Sequence, residues 1–485
     1  MISKHILKEI ITANRNFILR HTGDIVTREG VLFPDTVRKV VVFYGARRSG
    51  KTFILYDLFK KYQDVSLYLD FEDERLLGFE LKDFRILKDV FLELNPYLAG
   101  KNLVFLLDEV QNIEGWERFC RRAVEREDIR IFASGSSSKM MPAEIQTELR
   151  GRAWSIEVLP FSFREYLIAK HIDINDKNLI YGAQKALVKK YFSEYMKWGG
   201  FPEVSLLESE FEIIKLLKEY ISAMYFRDLV ERYDITNIHL LDSLTDRLFS
   251  SFSTKFSLTA FYKQYKGRFP FSKDLLFRYY KHFLQSMLIF EVRKFSESTY
   301  KRIRNPAKIY PVDTGLCRRV TSLDQGRLLE NLVLLELKRK GQEFFYFDEK
   351  AECDFIIRDE NDRLSAVQVC FELHEKNRER EINGLVKACK WLGLNEGTIF
   401  TWDDEENFGA EGIDIKIIPV WKWLLAQSAG RRGQGAEGRA QGAGRRAQGA
   451  EGKEQRAKGK EQRAEGRAHR AKSKEQGARS KEQRK

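Results

Sequence analysis

Apolar residues in the first third of the chain gather in short, nearly unbroken runs, and helical periodicity fills the gaps between them. Val40-Val41-Val42-Phe43-Tyr44, Val65-Ser66-Leu67-Tyr68-Leu69, Leu103-Val104-Phe105-Leu106-Leu107 and Ile129-Arg130-Ile131-Phe132-Ala133 each read as a buried strand. After the first run, Phe53, Ile54, Leu55, Leu58, Phe59 and Tyr62 recur at helical spacing, and a further helical region separates the second run from the third. An alternating strand from Trp154 to Leu159 closes the series at Pro160. Strands interleaved with helices predict an α/β fold over residues 37–165. Ahead of it, residues 1–36 hold a short amphipathic helix (Ile6, Leu7, Ile10, Ile11) and a polar connector.

The pattern then changes twice. Residues 166–238 read as a helical subdomain, broken at Gly199-Gly200-Phe201-Pro202 and carrying a long helix from Phe211 to about Arg232. Residues 239–316 show helix, turn, helix and hairpin. Ser257 and Ser272 supply hydroxyl caps, and Leu275, Leu276, Tyr279, Tyr280, Phe283 and Leu284 form a buried stripe. The hairpin strands, at 287–292 and 308–313, flank a basic loop with Lys294, Lys301, Arg302 and Arg304. Residues 317–426 return to mixed α/β. A helix runs from Gly326 to Arg339, strands fall at 344–347, 353–357 and 365–370, and a helix with Leu385, Ala388, Trp391 and Leu392 precedes a strand at 398–400.

Composition alters the picture mainly at the end. After Ala426 there are 18 Lys and Arg against 7 Glu, a surplus of 11 out of the net +13, so the rest of the chain carries only +2. Ala is the sole apolar residue among the repeats in 427–485, too little to offset the entropy of ordering, and a disordered basic tail is expected. Non-specific nucleic-acid contact by such a tail would be steeply salt-dependent; a solvated appendage is the alternative. Five scattered cysteines with no C-x-x-C pair speak for buried free thiols over zinc or disulfides. No apolar run approaches the roughly 18 residues of a membrane span, and the N-terminus lacks a signal-peptide core, so a cytoplasmic protein is expected.

The chemistry centres on Gly45-Ala46-Arg47-Arg48-Ser49-Gly50-Lys51-Thr52, which fits G-x-x-x-x-G-K-[ST] between a strand and a helix. Glycines let main-chain N–H groups curl round phosphates, and the helix N-terminus adds its positive dipole end. Lys51 would reach the β- and γ-phosphates of ATP, Thr52 would sit on Mg²⁺, and Phe53 follows directly. About 55 residues later the third strand ends in Asp108-Glu109. Asp108 would hold the metal and Glu109 would polarise the attacking water. Ser134, at the exit of the next strand, is placed to meet the γ-phosphate or the water, or to belong to an ordinary serine-rich turn. Arg150 and Arg152 are candidates to stabilise transition-state charge, in cis or from a neighbouring subunit of a homo-oligomer, against the ordinary use of arginine as a solvated surface residue.

These segments arrive in a particular order with Tyr68-Leu69-Asp70-Phe71-Glu72-Asp73, Leu107-Asp108-Glu109-Val110-Gln111-Asn112, Ser134-Gly135-Ser136-Ser137-Ser138, Leu149-Arg150-Gly151-Arg152 and Leu159-Pro160-Phe161-Ser162-Phe163-Arg164-Glu165-Tyr166. So arranged, the chain resembles prokaryotic ATP-binding proteins that join an AAA-type P-loop ATPase domain to a C-terminal domain of unknown function. The resemblance implies a RecA-like sheet in which one strand intervenes between the Asp-Glu strand and the phosphate-loop strand. It also implies a winged-helix module over 239–316, and such a module often meets DNA. The helix after Ser272 is aromatic-rich, with Lys273, Arg278 and Lys281 its cations, which makes a protein partner an equal alternative to DNA. Within residues 317–426, Glu330, Asp354 and Gln368 match the skeleton of PD-(D/E)xK nucleases, where two carboxylates hold Mg²⁺ and a lysine works on water. Here Cys370 stands at the lysine position, with Lys387 on the next helix as a substitute, so a nuclease-like fold used for binding is expected. Three functions compete: an ATPase whose nucleotide state controls a DNA- or protein-binding C-terminal half, a nucleotide-gated binder with negligible turnover, and an ATP-driven nuclease.

Overall fold

The structure is a computed structural model that describes residues 2–426, apart from 24, 35–37, 137–139, 297, 299–301, 303, 304, 320–323 and 350. The basic tail, Ser137, Ser138, Lys301 and Arg304 therefore lie outside the described residues.

The four apolar runs and the alternating strand become β1 (Val40–Tyr44), β2 (Ser66–Asp70), β3 (Val104–Asp108), β4 (Arg130–Gly135) and β5 (Ala153–Glu157). They form one sheet in the order β2-β3-β4-β1-β5, parallel at every pair. A parallel sheet is covered on both faces, which is why β1 to β4 carry near-continuous apolar runs, whereas β5, at the edge of the sheet, alternates. Val40, Val42, Leu67, Leu69, Phe105 and Leu107 face the helices Phe84–Leu94 and Trp116–Arg126. Val41, Phe43, Tyr68, Val104 and Leu106 face the helix Lys51–Lys61 through Ile54, Leu55, Leu58 and Phe59.

The amphipathic segment at the N-terminus is an 18-residue helix, Lys4–His21, capped by Ser3. Its Leu7, Ile10 and Ile11 enter the first of these cores and Ile18 the second, so it belongs to the layer around the sheet.

Beyond the sheet, three helices (Ile238–Ser250, Leu258–Tyr265, Lys273–Gln285) pack with a second sheet. Its strands are β6 (Thr254–Phe256), β7 (Ile289–Val292) and β8 (Ala307–Pro311), antiparallel in the order β6-β8-β7. The hairpin strands fall where the sequence puts them; β6 has too few residues to leave a periodic signal.

The last unit is a six-stranded sheet of β9 (Glu343–Asp348), β10 (Glu352–Arg358), β11 (Leu364–Val369), β12 (Glu396–Thr401), β13 (Glu406–Ala410) and β14 (Ile413–Pro419). The order is β13-β14-β12-β11-β10-β9, parallel at β11–β12 and β12–β14 and antiparallel elsewhere. Helix Gln325–Arg339 packs in one core of this sheet and helix Glu375–Leu392 in the other.

The helical stretch between the first and second sheets divides its loyalties. Phe163, Tyr166, Phe192 and Tyr195 enter the core shared with Gln325–Arg339, whereas Trp198, Phe201, Leu217 and Leu229 enter the core of the three-stranded unit. The break between the two halves is Gly199-Gly200. A side chain at Gly199 (φ +82) would overlap the carboxylate of Asp313. That carboxylate accepts from the Gly200 amide at 2.7 Å and the Gly315 amide at 2.8 Å. All five cysteines are free and buried, as expected. Among the described residues no helix is long and apolar enough to cross a membrane.

Candidate active site

The phosphate-loop sequence leaves the C-terminal end of β1 and winds into helix Lys51–Lys61. Two of its positions can be filled only by glycine. A Cβ at Gly45 would overlap the carbonyl oxygen of Val158, and Gly50 has φ +95 beside Arg28 and Pro202. The Lys51 side chain is buried and donates to the carbonyls of Gly45 (3.2 Å) and Ala46 (3.0 Å). Burial pulls its pKa down, against the opposing pull of Glu109 and Asp108. Ser49 is fully buried and its hydroxyl has no hydrogen-bond partner. Phe53 is half-exposed at the helix surface, its ring edge-on to Tyr56 at 5.5 Å.

The structure brings Asp108 to this loop. It ends β3, with β4 intervening before β1, the order that the resemblance implies. Its buried carboxylate accepts from Tyr68 Oη at 3.0 Å, from the Ser134 hydroxyl and from the Thr52 hydroxyl. Burial and the neighbouring Glu109 push its pKa up, partly offset by those donors. Ser134 thus orients Asp108 and does not point outward. The hydroxyl that meets Glu109 is that of Ser136, at 3.2 Å from Oε2, where Gln111 Nε2 also donates at 2.5 Å. Glu109 itself adopts a left-handed backbone (φ +46), which turns its side chain out of the strand direction. Gly135 is required here because a Cβ would overlap the Gln111 amide. Asp70 lies in register with Asp108 at the end of β2, and burial pushes its pKa up to about 7.

Three arginines tie the loop to its surroundings, Arg28 from outside it and Arg47 and Arg48 from within. Arg28 is nearly buried and donates to Ser49 O (2.8 Å), Leu159 O (2.6 Å) and Glu165 Oε1 (3.0 Å). Arg47 reaches Asp228 (Nε to Oδ2, 3.5 Å) on the π-helical stretch Met224–Glu231, and Glu72 at 3.9 Å. Arg48, with φ +67, lies 3.7 Å from Glu203 and 5.2 Å from the Tyr220 ring centre. Arg150 and Arg152 are not brought here. Ala153 pairs with Val40 at the start of β1, so both arginines sit at the opposite end of the strands from the phosphate loop, roughly 15 Å of strand away. Arg152 pairs with Glu125 and donates to Arg150 O at 3.2 Å.

Arg28, Tyr68, Gln111 and Asp228 were not singled out by sequence. Tyr68 and Gln111 lie inside the motif segments; Gln111 sits two residues past the acid it contacts, whereas Tyr68 reaches Asp108 from the neighbouring strand. Arg28 sits in a polar connector with no periodic signal, and Asp228 is a buried acid inside a helical run, where nothing in local spacing marks it.

Among the described residues no three His, Cys, Asp or Glu side chains are disposed to hold a metal by themselves. A hard cation beside Thr52 and Asp108 would complete its oxygen shell from phosphate and water, the usual habit of Mg²⁺. The adjacent hydroxyl and carboxylate oxygens at the phosphate loop fit that ion.

The second acidic group lies in the six-stranded unit. Glu330 and Asp354 do converge, on the ammonium of Lys308, at 3.2 and 2.8 Å. Gln368 accepts from the Asp354 amide at 3.1 Å and donates to Glu381 at 2.6 Å. Cys370 lies buried near them, donating to Glu372 O at 3.1 Å, and Lys387 is exposed on its helix.

Residues 37–167 match the family model described as an AAA domain, and residues 189–327 match one described as a domain of unknown function. An uncharacterized protein of Methanocaldococcus jannaschii is 36% identical over 443 residues, spanning 88% of this chain and 96% of its own. An uncharacterized protein of Haemophilus influenzae is 29% identical over 427 residues, spanning 83% of this chain and 99% of its own. Among solved structures, the Thermotoga maritima RuvB Holliday junction branch migration motor aligns with 62% of this chain and 95% of its own at 13% identity. Its TM-score of 0.26 is too low to carry an argument.

Proposed function

We propose that this chain, which belongs to the family joining an AAA domain to a domain of unknown function, binds and hydrolyses ATP and uses the nucleotide state to reposition its C-terminal half. One observation carries the reading: Thr52 at the start of the loop helix and Asp108 at the end of β3 share a hydrogen bond, with Lys51 beside them. That is the residue set a magnesium-bound triphosphate needs. Main-chain amides of 45–52 and Lys51 would take phosphate oxygens. Thr52 and Asp108 would hold Mg²⁺, which when bound supplies neutralisation of phosphate charge. Glu109 would accept the proton of the attacking water, its carboxylate steadied by Gln111 and Ser136.

Control of the C-terminal half is supported by Arg47. It belongs to the phosphate loop yet is paired with Asp228, whose own carbonyl accepts from Ser286 at the end of helix Lys273–Gln285. π-helical segments recur at functional sites, and this one lies between loop and module. DNA or a protein would be the partner of the exposed face carrying Lys273, Arg278 and Lys281. Arg150 and Arg152 could serve only a neighbouring subunit's nucleotide, as in a homo-oligomer.

The test is a pair of variants. Lys51→Ala abolishes ATP binding, whereas Glu109→Gln retains binding and stops turnover. Phosphate release measured with and without DNA separates a turning-over enzyme from a nucleotide-gated binder. Wild-type hydrolysis by Glu109→Gln removes the assigned base.

A further inference from the structure

Lys308 stands on β8 of the three-stranded sheet, yet its ammonium lies inside the six-stranded unit. Its side chain is 3% exposed. Nζ donates to Asp354 Oδ1 at 2.8 Å and to Glu330 Oε1 at 3.2 Å, and lies 3.1 Å from Glu352 Oε1. Two residues along the same strand, Tyr310 donates to Glu330 Oε1 at 2.6 Å. The second oxygen of Asp354 accepts from the Val369 amide at 3.0 Å. The two acids at the centre are therefore already supplied with donors and with a positive charge.

We propose that Lys308 holds the position between Glu330 and Asp354 that a divalent cation would need, so that this cluster is an ion-paired joint between the two sheets and not a metal site. The disagreement with a nuclease-like reading is one of charge and space. Mg²⁺ demands near-octahedral oxygen ligands at roughly 2.0–2.1 Å and gives up its water reluctantly. An ammonium bridging both carboxylates excludes it by repulsion and by occupying the same lone pairs. Neither Cys370, a buried neutral thiol, nor the exposed Lys387 supplies a second lysine that would free Lys308 for another task. Burial closes the cluster to a polymer as well: Glu330, Asp354 and Gln368 are 8%, 6% and 8% exposed. What the lysine does instead is mechanical. Removing it would leave the buried Glu330 and Asp354 without their countercharge, the costly half of breaking a buried ion pair, so β8 is fastened to the six-stranded unit by Lys308, with Tyr310 of the same strand on Glu330.

The proposal stands apart from the ATP site and is tested without nucleotide. Mn²⁺ bound by the full-length protein is counted by electron paramagnetic resonance for the wild type, Asp354→Asn, Lys308→Met and the double variant. The wild type and Asp354→Asn bind equal amounts; Lys308→Met gains one Mn²⁺ per chain, which the added Asp354→Asn removes. Mn²⁺ held by the wild type and lost in Asp354→Asn overturns the proposal, as does a folded Lys308→Met that gains none. Should Lys308→Met fail to fold, the joint is upheld, and the wild type against Asp354→Asn decides the metal.

Discussion

Asp228→Asn tests the route by which the phosphate loop would speak to the rest of the molecule. The carboxylate is buried and shared: Arg232 donates to Oδ1 at 2.8 Å, and Arg47 Nε stands 3.5 Å from Oδ2. Burial pushes the Asp228 pKa up, and Arg232, Arg47 and Lys51 each oppose that rise. At 3.5 Å and an effective dielectric of about 20, one such pair is worth up to about 5 kcal/mol. Sharing with Arg232 and the part-exposure of Arg47 cut the share held by Arg47 to about 1–2 kcal/mol. Phosphate must win Arg47 from this acid. A neutral amide of the same shape gives up that hold, so the Kd for ATP falls by about 5- to 30-fold. Competition with a fluorescent nucleotide measures it. Hydrogen exchange over 224–235 supplies a second readout: an ATP-dependent change in the wild type, little or none in the variant. An unchanged or raised Kd in a folded Asp228→Asn refutes the competition.

Gln111→Ala removes the 2.5 Å hydrogen bond to Glu109 and leaves only Ser136; a charge-assisted bond of about 1.5–3 kcal/mol predicts a fall in kcat of at least about tenfold with little change in KM, and equal losses in both would contradict an orienting role. Gly199→Ala drives a methyl into the Asp313 carboxylate at a left-handed backbone position, so urea unfolding should show about 2–4 kcal/mol of lost stability; a midpoint matching the wild type would remove the steric reason for that turn. Asp70 in the folded chain titrates near 7, above its ordinary value, because burial disfavours its charge. The native state therefore keeps a proton that the unfolded chain releases between about pH 4 and 7, and stability falls as pH rises through that window. Asp70→Asn should gain on the wild type in melting temperature from pH 5 to pH 8, and a constant difference would exclude the linkage.

The first sheet was legible because parallel strands buried on both faces carry near-continuous apolar runs, and β1 to β4 do, with polar residues only at their ends. The site was legible because it is built at strand ends by contiguous motifs. What escaped was non-local. Arg28 reaches the loop across 21 residues and Asp228 across more than 170, and neither contact leaves a trace in local spacing. Strands β13 and β14 went unread although Ile413, Ile415 and Ile417 alternate with exposed residues, since only Ile-Asp-Ile-Lys-Ile marks them among charged turns. Ser134 lies at the strand end where the sequence puts it, and its hydroxyl donates to Asp108. A hydroxyl there is visible in sequence, but the choice between Asp108 and an outward ligand is set by β4 lying beside β3. Lys308 carries no mark in the sequence beyond opening a hairpin strand, because a strand's sequence does not say which neighbouring unit its side chain enters.

The two acidic groups of this chain make one argument between them. Glu330 and Asp354 meet a lysine from another sheet. Asp70, Asp108 and Glu109 lie near cations too, yet those cations are directed elsewhere: Lys51 donates to the carbonyls of its own loop, and Arg47 is drawn to Asp228 and Glu72. The result is visible in the acids themselves. Burial and mutual repulsion push Asp70 and Asp108 upward, with hydroxyl and amide donors as their chief relief. A buried carboxylate cluster in that condition is stabilised by a cation arriving from solution, and one next to a glycine-lined helix N-terminus can take that cation together with the phosphate it carries. An identical pair of residue types closed by an internal ammonium has no such affinity to offer. Where the lysine points, more than how many acids gather, separates the chain's candidate for catalysis from its structural joint.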